Sequence, residues 1–221
     1  MLAQLLNKLE RKCRGRAIPH LMTWIVAGMA LVFILDNLMI LPLRHHMTAD
    51  LCFDWAKICR GEIWRLVTFV FLPTNSSIIF VLLSMYLYWM IGTALENEWG
   101  TFKFNMYYLC GLVGTILSGM ISGGTVTNYY LNLSLFLAFA LLNPDFELML
   151  FFILPVKMKW LAALDAVLLI VSCVQDVLGG SWVSILALAF AMLNVFLFFG
   201  GYLLDTVRDI KRRRDWRNKW R

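Results

Sequence analysis

His20, His45 and His46 are the three imidazoles of this 221-residue chain, and all of them precede residue 47. Histidine is the usual proton acceptor at neutral pH, so its absence from the remaining sequence restricts the chemistry the interior can perform. Five cysteines are too scattered for a structural zinc site, which needs closely spaced ligand pairs. No metal or other cofactor is expected. Cys110 and Cys173 read as apolar filler, whereas Cys52 and Cys59 share one loop and could pair in an oxidising compartment. Asp36 stands inside an apolar run, where a carboxylate is a functional-site candidate by default. It lies near the end of that run, where water or Asn37 can satisfy it, and a structural role is favoured.

The elements that must position these groups are membrane helices. Hydrophobic residues make up 61% of the chain, charged residues 15%, and the mean hydropathy is +0.72, which excludes both a soluble globular domain and a disordered chain. Crossing a hydrocarbon core of about 30 Å takes roughly 20 helical residues, because the backbone finds no water there. Six stretches qualify: 21–39, 77–95, 104–122, 129–142, 161–174 and 182–204. The first follows a basic tail and lacks a small-residue cleavage site, so it reads as a retained helix and not a signal peptide.

Basic residues resist translocation and mark the cytoplasmic side. Lys8, Arg11, Lys12, Arg14 and Arg16 precede the first span, and Arg208, Lys211, Arg212, Arg213, Arg214, Arg217, Lys219 and Arg221 follow the last. Both termini are therefore expected in the cytoplasm, which requires an even number of spans. The net charge of +6 is a topology signal before it is anything else, and nucleic-acid binding is not adopted. The C-terminal tail, 205–221, interleaves Trp216 and Trp220 with its cations and suits the anionic lipids of the inner leaflet, each basic residue contributing about 1 kcal/mol.

The fold class expected is thus all-α: a basic tail over 1–20, a six-helix membrane domain over 21–204, and a basic tail over 205–221. Within the domain, the loop 40–73 is too long to be plain linker. Its mixture of aromatic, aliphatic and charged residues suits short helices lying at headgroup level. The third span carries small residues four apart, Gly111, Thr115, Gly119 and Gly123, beside Gly114, Ser118 and Ser122. Such stripes let helices approach closely. Packing within the chain is favoured over a homodimer contact through Gly119 and Gly123. Residues 143–160 bracket an apolar run, 148–154, that is too short to span, and are expected to form an interfacial hairpin with Trp160 and the lysines at headgroup level.

At the end of the second span stand Gly92, Ala94, Leu95, Glu96, Trp99 and Gly100, preceded in the first loop by Trp64, Arg65, Thr68 and Phe69. This set resembles the rhomboid superfamily, including the derlins, over roughly residues 20–204, with the same six-span layout and glycine-rich third helix. A physical role for Glu96 needs no family: a carboxylate at an inner helix end can accept hydrogen bonds from loop amides and pin the turn. Structure is favoured over catalysis for it, and for Trp99 and Gly100 with it.

Active rhomboids are serine proteases of transmembrane segments, with a serine in a Gly-x-Ser-Gly motif on the fourth helix and a histidine base on the sixth. The matching segment here is Asn132, Leu133, Ser134 and Leu135, in which only the serine remains. A serine hydroxyl is a weak nucleophile without a base. The histidine position, seven residues before a glycine, aligns with Asn194 ahead of Gly201, and an amide cannot act as general base. The His-x-x-x-Asn pair that steadies the oxyanion aligns with Phe80 and Ser84, of which Phe80 offers no donor. His45 or His46 reaching over the site is the minor route to a base.

The resemblance therefore implies a pseudoprotease that binds or routes transmembrane client proteins without cleaving them; the compact six-helix core and the absence of an organelle-retention signal favour a bacterial plasma membrane. Ser84, Asn128, Asn132, Ser134 and Asn194 would line a hydrated cavity open to the outer side, with Trp64, Arg65 and Phe80 on the client-binding surface. Alternatively these polar residues bond neighbouring helices, at about 0.6 kcal/mol each. The competing function is a divergent intramembrane serine protease that uses Ser134 with another base. A transporter is disfavoured, since neither an inverted repeat nor paired broken helices are visible.

Overall fold

Pro19 keeps residue 18 out of helical geometry, and the first helix, α1 (Leu21–Leu43), begins two residues after it. The computed structural model describes residues 17–43, 48–73, 77–150, 154–178, 185–186, 188–196 and 198. Residues 1–16 of the N-terminal tail, the whole C-terminal tail, His45, His46, Gly201 and the ends of the expected last span lie outside the described residues. Side chains of 38–43 and 172–178 are likewise not described.

The chain is mostly helical. After α1 come α2 (Thr48–Leu51), α3 (Trp55–Ile58), α4 (Arg65–Thr68) and a 3-10 turn at Phe69–Phe71, then α5 (Ile78–Trp99), α6 (Thr101–Ser122), α7 (Tyr129–Leu142) and α8 (Met158–Leu178). Residues 188–196 are helical too. Among the described residues α5 and α6 are long and apolar enough to cross a membrane, and shorter apolar helix covers Leu21–Asn37 and Tyr129–Leu142.

The expectation of an all-α chain needs one amendment, because two short antiparallel strand pairs are present. In the first, β1 (Phe53–Asp54) of the long loop pairs with β2 (Thr125–Val126) between α6 and α7, Phe53 opposite Val126. In the second, β3 (Glu147–Leu150) and β4 (Leu154–Lys157) form the expected hairpin, with Glu147 opposite Lys157. An apolar run too short to span satisfies its backbone by folding on itself. Lys159 Nζ bonds Asp145 Oδ1 at 2.9 Å across the base of that hairpin, and the ammonium holds the carboxyl below the usual carboxylate range.

The core runs from α1 and the first loop through α5 and α6 to α7. Eight residues of α7 are buried, including Leu131, Asn132, Ser134 and Leu135, on both sides of a helix only 14 residues long. At about 1.5 Å per residue that is roughly 21 Å, well short of the hydrocarbon thickness. The first loop packs on its N-terminal end: Asn128, at the head of α7, donates from Nδ2 to the carbonyls of Val70 (3.1 Å) and Leu72 (2.8 Å).

Candidate functional site

The junction of α5 and α6 gathers the motif residues. Gly100 turns the chain between the two helices at φ 84°, a left-handed value that disfavours side chains. Glu96, buried four residues earlier, accepts a hydrogen bond at Oε1 from the backbone N–H of His20, 2.9 Å away. His20 itself adopts φ 54° to present that N–H. Asn105 Nδ2 adds a bond to the Ile18 carbonyl at 3.1 Å, so the segment before α1 is tied to both α5 and α6. A methyl group at Gly92 would strike Met22, which shows how closely α1 and α5 approach.

Tyr107, one turn and a half into α6, links the aligned positions. Its hydroxyl donates to the Ser134 carbonyl at 2.9 Å, and its own carbonyl accepts from Asn194 Nδ2 at 3.2 Å. Its ring lies edge-on to Trp99 (5.3 Å) and to Phe198 (5.1 Å). Ser134 and Asn194 are thus brought to opposite ends of one buried tyrosine. The Ser134 hydroxyl donates to the Leu131 carbonyl at 2.7 Å, and the Asn194 amide approaches Gly111, so the two side chains bond to main chain and not to each other. Asn194 Oδ1 is buried without a hydrogen-bond partner among the described residues.

Asn132 and Ser84 lie elsewhere. They line a cavity of about 310 Å³ between α5, α7 and α8, together with Tyr88, Tyr129, Asp165 and Leu168. Ser84 Oγ bonds the Val81 carbonyl at 2.9 Å. Asn132 is 2% exposed, and neither Nδ2 nor Oδ1 has a partner among the described residues. The single polar cavity expected from the sequence therefore divides: Ser134 and Asn194 face α6, Asn132 and Ser84 face the α5/α7/α8 groove, and Asn128 is taken up by the loop. Helical rotation is the reason, since positions two apart point about 200° away from one another.

The first loop places its candidates apart as well. Trp64 is 54% exposed, whereas Arg65 is 2% exposed with its donors turned inward. Arg65 Nε meets Glu62 Oε2 at 2.5 Å and Nη1 reaches the carbonyls of Ala49 (3.0 Å) and Cys52 (2.9 Å). Thr68 Oγ1 bonds the Leu51 carbonyl at 3.0 Å. Phe53 packs edge-on against Phe69 at 5.8 Å and presses its ring on Gly119, where a Cβ would overlap it. Gly119 is thus occupied from within the chain, while Gly123 caps α6 at φ 64°. Cys52 and Cys59 are both free thiols. Phe80 is half exposed near the start of α5. Asp36 Oδ1 accepts from the Thr48 N–H at 3.3 Å, which fixes the end of α1 against the start of α2.

The sequence reading passed over two residues that the geometry makes central. Tyr107 carried no local signal, because an aromatic in an apolar helix reads as packing. Asp165 did carry one: the rule that marks Asp36, a carboxylate inside an apolar helix, applies to it equally. Among the described residues no group of three or more His, Cys, Asp and Glu is arranged to hold a metal ion. Comparison with protein-family models returns no match, and comparison with curated proteins returns none either.

Proposed function

We propose that this protein is a rhomboid-like pseudoprotease: a multi-pass membrane protein of six spans that binds or routes transmembrane client proteins without cutting them. The observation that supports the reading is the engagement of Ser134. Its hydroxyl is committed to the Leu131 carbonyl, and the residue aligned with the base, Asn194, is an amide bonded to the Tyr107 carbonyl. An amide has no proton-accepting role near neutral pH, so the serine lacks the activation a nucleophile requires. A buried polar centre kept without its catalytic base suits binding.

The membrane reading draws on α5 and α6, each long and apolar enough to cross a bilayer; the charge of the two tails favours a cytoplasmic position for both termini, and a bacterial plasma membrane is the compartment proposed. The cationic C-terminal tail then rests on anionic lipid.

The test is reaction of the purified protein with a fluorophosphonate probe beside a capture experiment. The expected outcome is no labelling of Ser134, together with intact transmembrane proteins that co-purify. Labelling that disappears in Ser134→Ala would overturn the pseudoprotease reading in favour of an intramembrane serine protease.

A further inference from the structure

The groove between α5, α7 and α8 carries a buried amide without a partner among the described residues and a carboxylate without a counter-ion among the residues that line the groove. Asn132 is almost fully buried with both amide atoms unpaired among the described residues. Asp165 stands across the same cavity, half-buried, with no cation among the residues that line it. Buried amides and intramembrane carboxylates are costly unless paired, and structures rarely leave both unpaired in one place. The groove is open on one side, where Leu164 and Leu168 of α8 are exposed at its edge.

We infer that this groove takes a transmembrane helix of a client through a basic side chain, a lysine or arginine, that pairs with Asp165. Asn132 supplies a donor and an acceptor to the polar group beside that cation, and Ser84 lies on the opposite wall. Counting along the helices places Asp165 about 10 Å from the inner end of α8 and Asn132 about 15 Å from the inner end of α7. At the depth of Asp165 a lysine on the client does not reach the headgroups without cost, and such a helix gains by finding the carboxylate. An all-apolar helix would instead bury Asp165 and Asn132 without partners, so the site selects against it as well as for its opposite. The inference rests on the client-binding reading above and adds the chemistry of selection.

The test uses the full-length protein in phosphatidylcholine vesicles, with a photocrosslinking amino acid at Leu168. Host peptides of about 20 leucine-rich residues carry lysine, leucine or glutamate at the centre. The lysine peptide should bind about tenfold more tightly than the leucine peptide. Asp165→Asn should erase that difference, and Asp165→Lys should transfer the preference to the glutamate peptide, which also shows that the variant folds. Equal binding of lysine and leucine peptides, or a lysine preference that survives Asp165→Asn, overturns the inference while client binding stands. Loss of the preference when phosphatidylethanolamine is added makes a lipid amine the occupant and overturns it too. If no peptide is captured, both the inference and the client-binding reading fall.

Discussion

At the scale of single residues, Tyr107 joins features that the sequence keeps far apart: the Trp99 motif, the serine position and the asparagine position. Tyr107→Phe should cost only about 1 kcal/mol, because the Ser134 carbonyl sits within α7 and loses a supplementary bond. Chemical unfolding in detergent measures that loss. Glu96 is the stronger test. Glu96→Gln preserves an acceptor for the His20 N–H, whereas Glu96→Leu leaves that donor unpaired and should cost about 1–3 kcal/mol more. Glu96 was legible in the sequence because a carboxylate one turn before a glycine at a helix end can pin the turn. Tyr107 was not, since its partner Ser134 is 27 positions away and the meeting depends on the rotation of two helices. Asn132 and Ser134 show the same limit: their types were readable as polar and buried, but their assignment to two different faces needed the helix itself.

At the scale of elements, the loop between α1 and α5 acts as a wedge held by Arg65 and tipped by Phe53. Its short helices were readable from composition, but not the pairing of β1 with β2, because strands of two residues carry no periodicity. Gly119→Val should destabilise by about 1–3 kcal/mol, since the added methyls meet the Phe53 ring. Combining it with Phe53→Ala should recover part of the loss, and a double-mutant cycle in detergent unfolding gives the coupling. Arg65→Met removes the bonds to Glu62, Ala49 and Cys52 and should cost about 2 kcal/mol. Trypsin cleavage after Lys57 or Arg60 should then quicken. The β3/β4 hairpin has its own handle in Asp145. Its folded-state pKa is lowered, so the Lys159 bond contributes above the ordinary carboxylate range and is lost as pH falls through the lowered value. An NMR titration should place the Asp145 midpoint higher in Lys159→Met than in the parent protein.

At the scale of the whole molecule, the termini and the hairpin are expected on one side of the membrane and the 48–73 loop on the other. Single cysteines at Trp160 and at Trp64, both exposed, should react with an impermeant maleimide from opposite sides of sealed vesicles; reaction from the same side would break the six-span topology. The helical character of the chain and the two long apolar helices α5 and α6 were legible because apolar runs are local properties, whereas the enclosure of α7 depends on what its neighbours pack against it. That enclosure bears on where the protein can reside. α7 is largely enclosed by protein, while α5 and α6, with 22 residues each, are about 33 Å long and carry exposed apolar side chains. On the membrane reading, hydrophobic mismatch is read by the long helices, α1 and α8 among them, and not by α7. On that reading the groove beside α7 keeps its depth in a thin bilayer or a thick one, while the tilt of its outer walls changes.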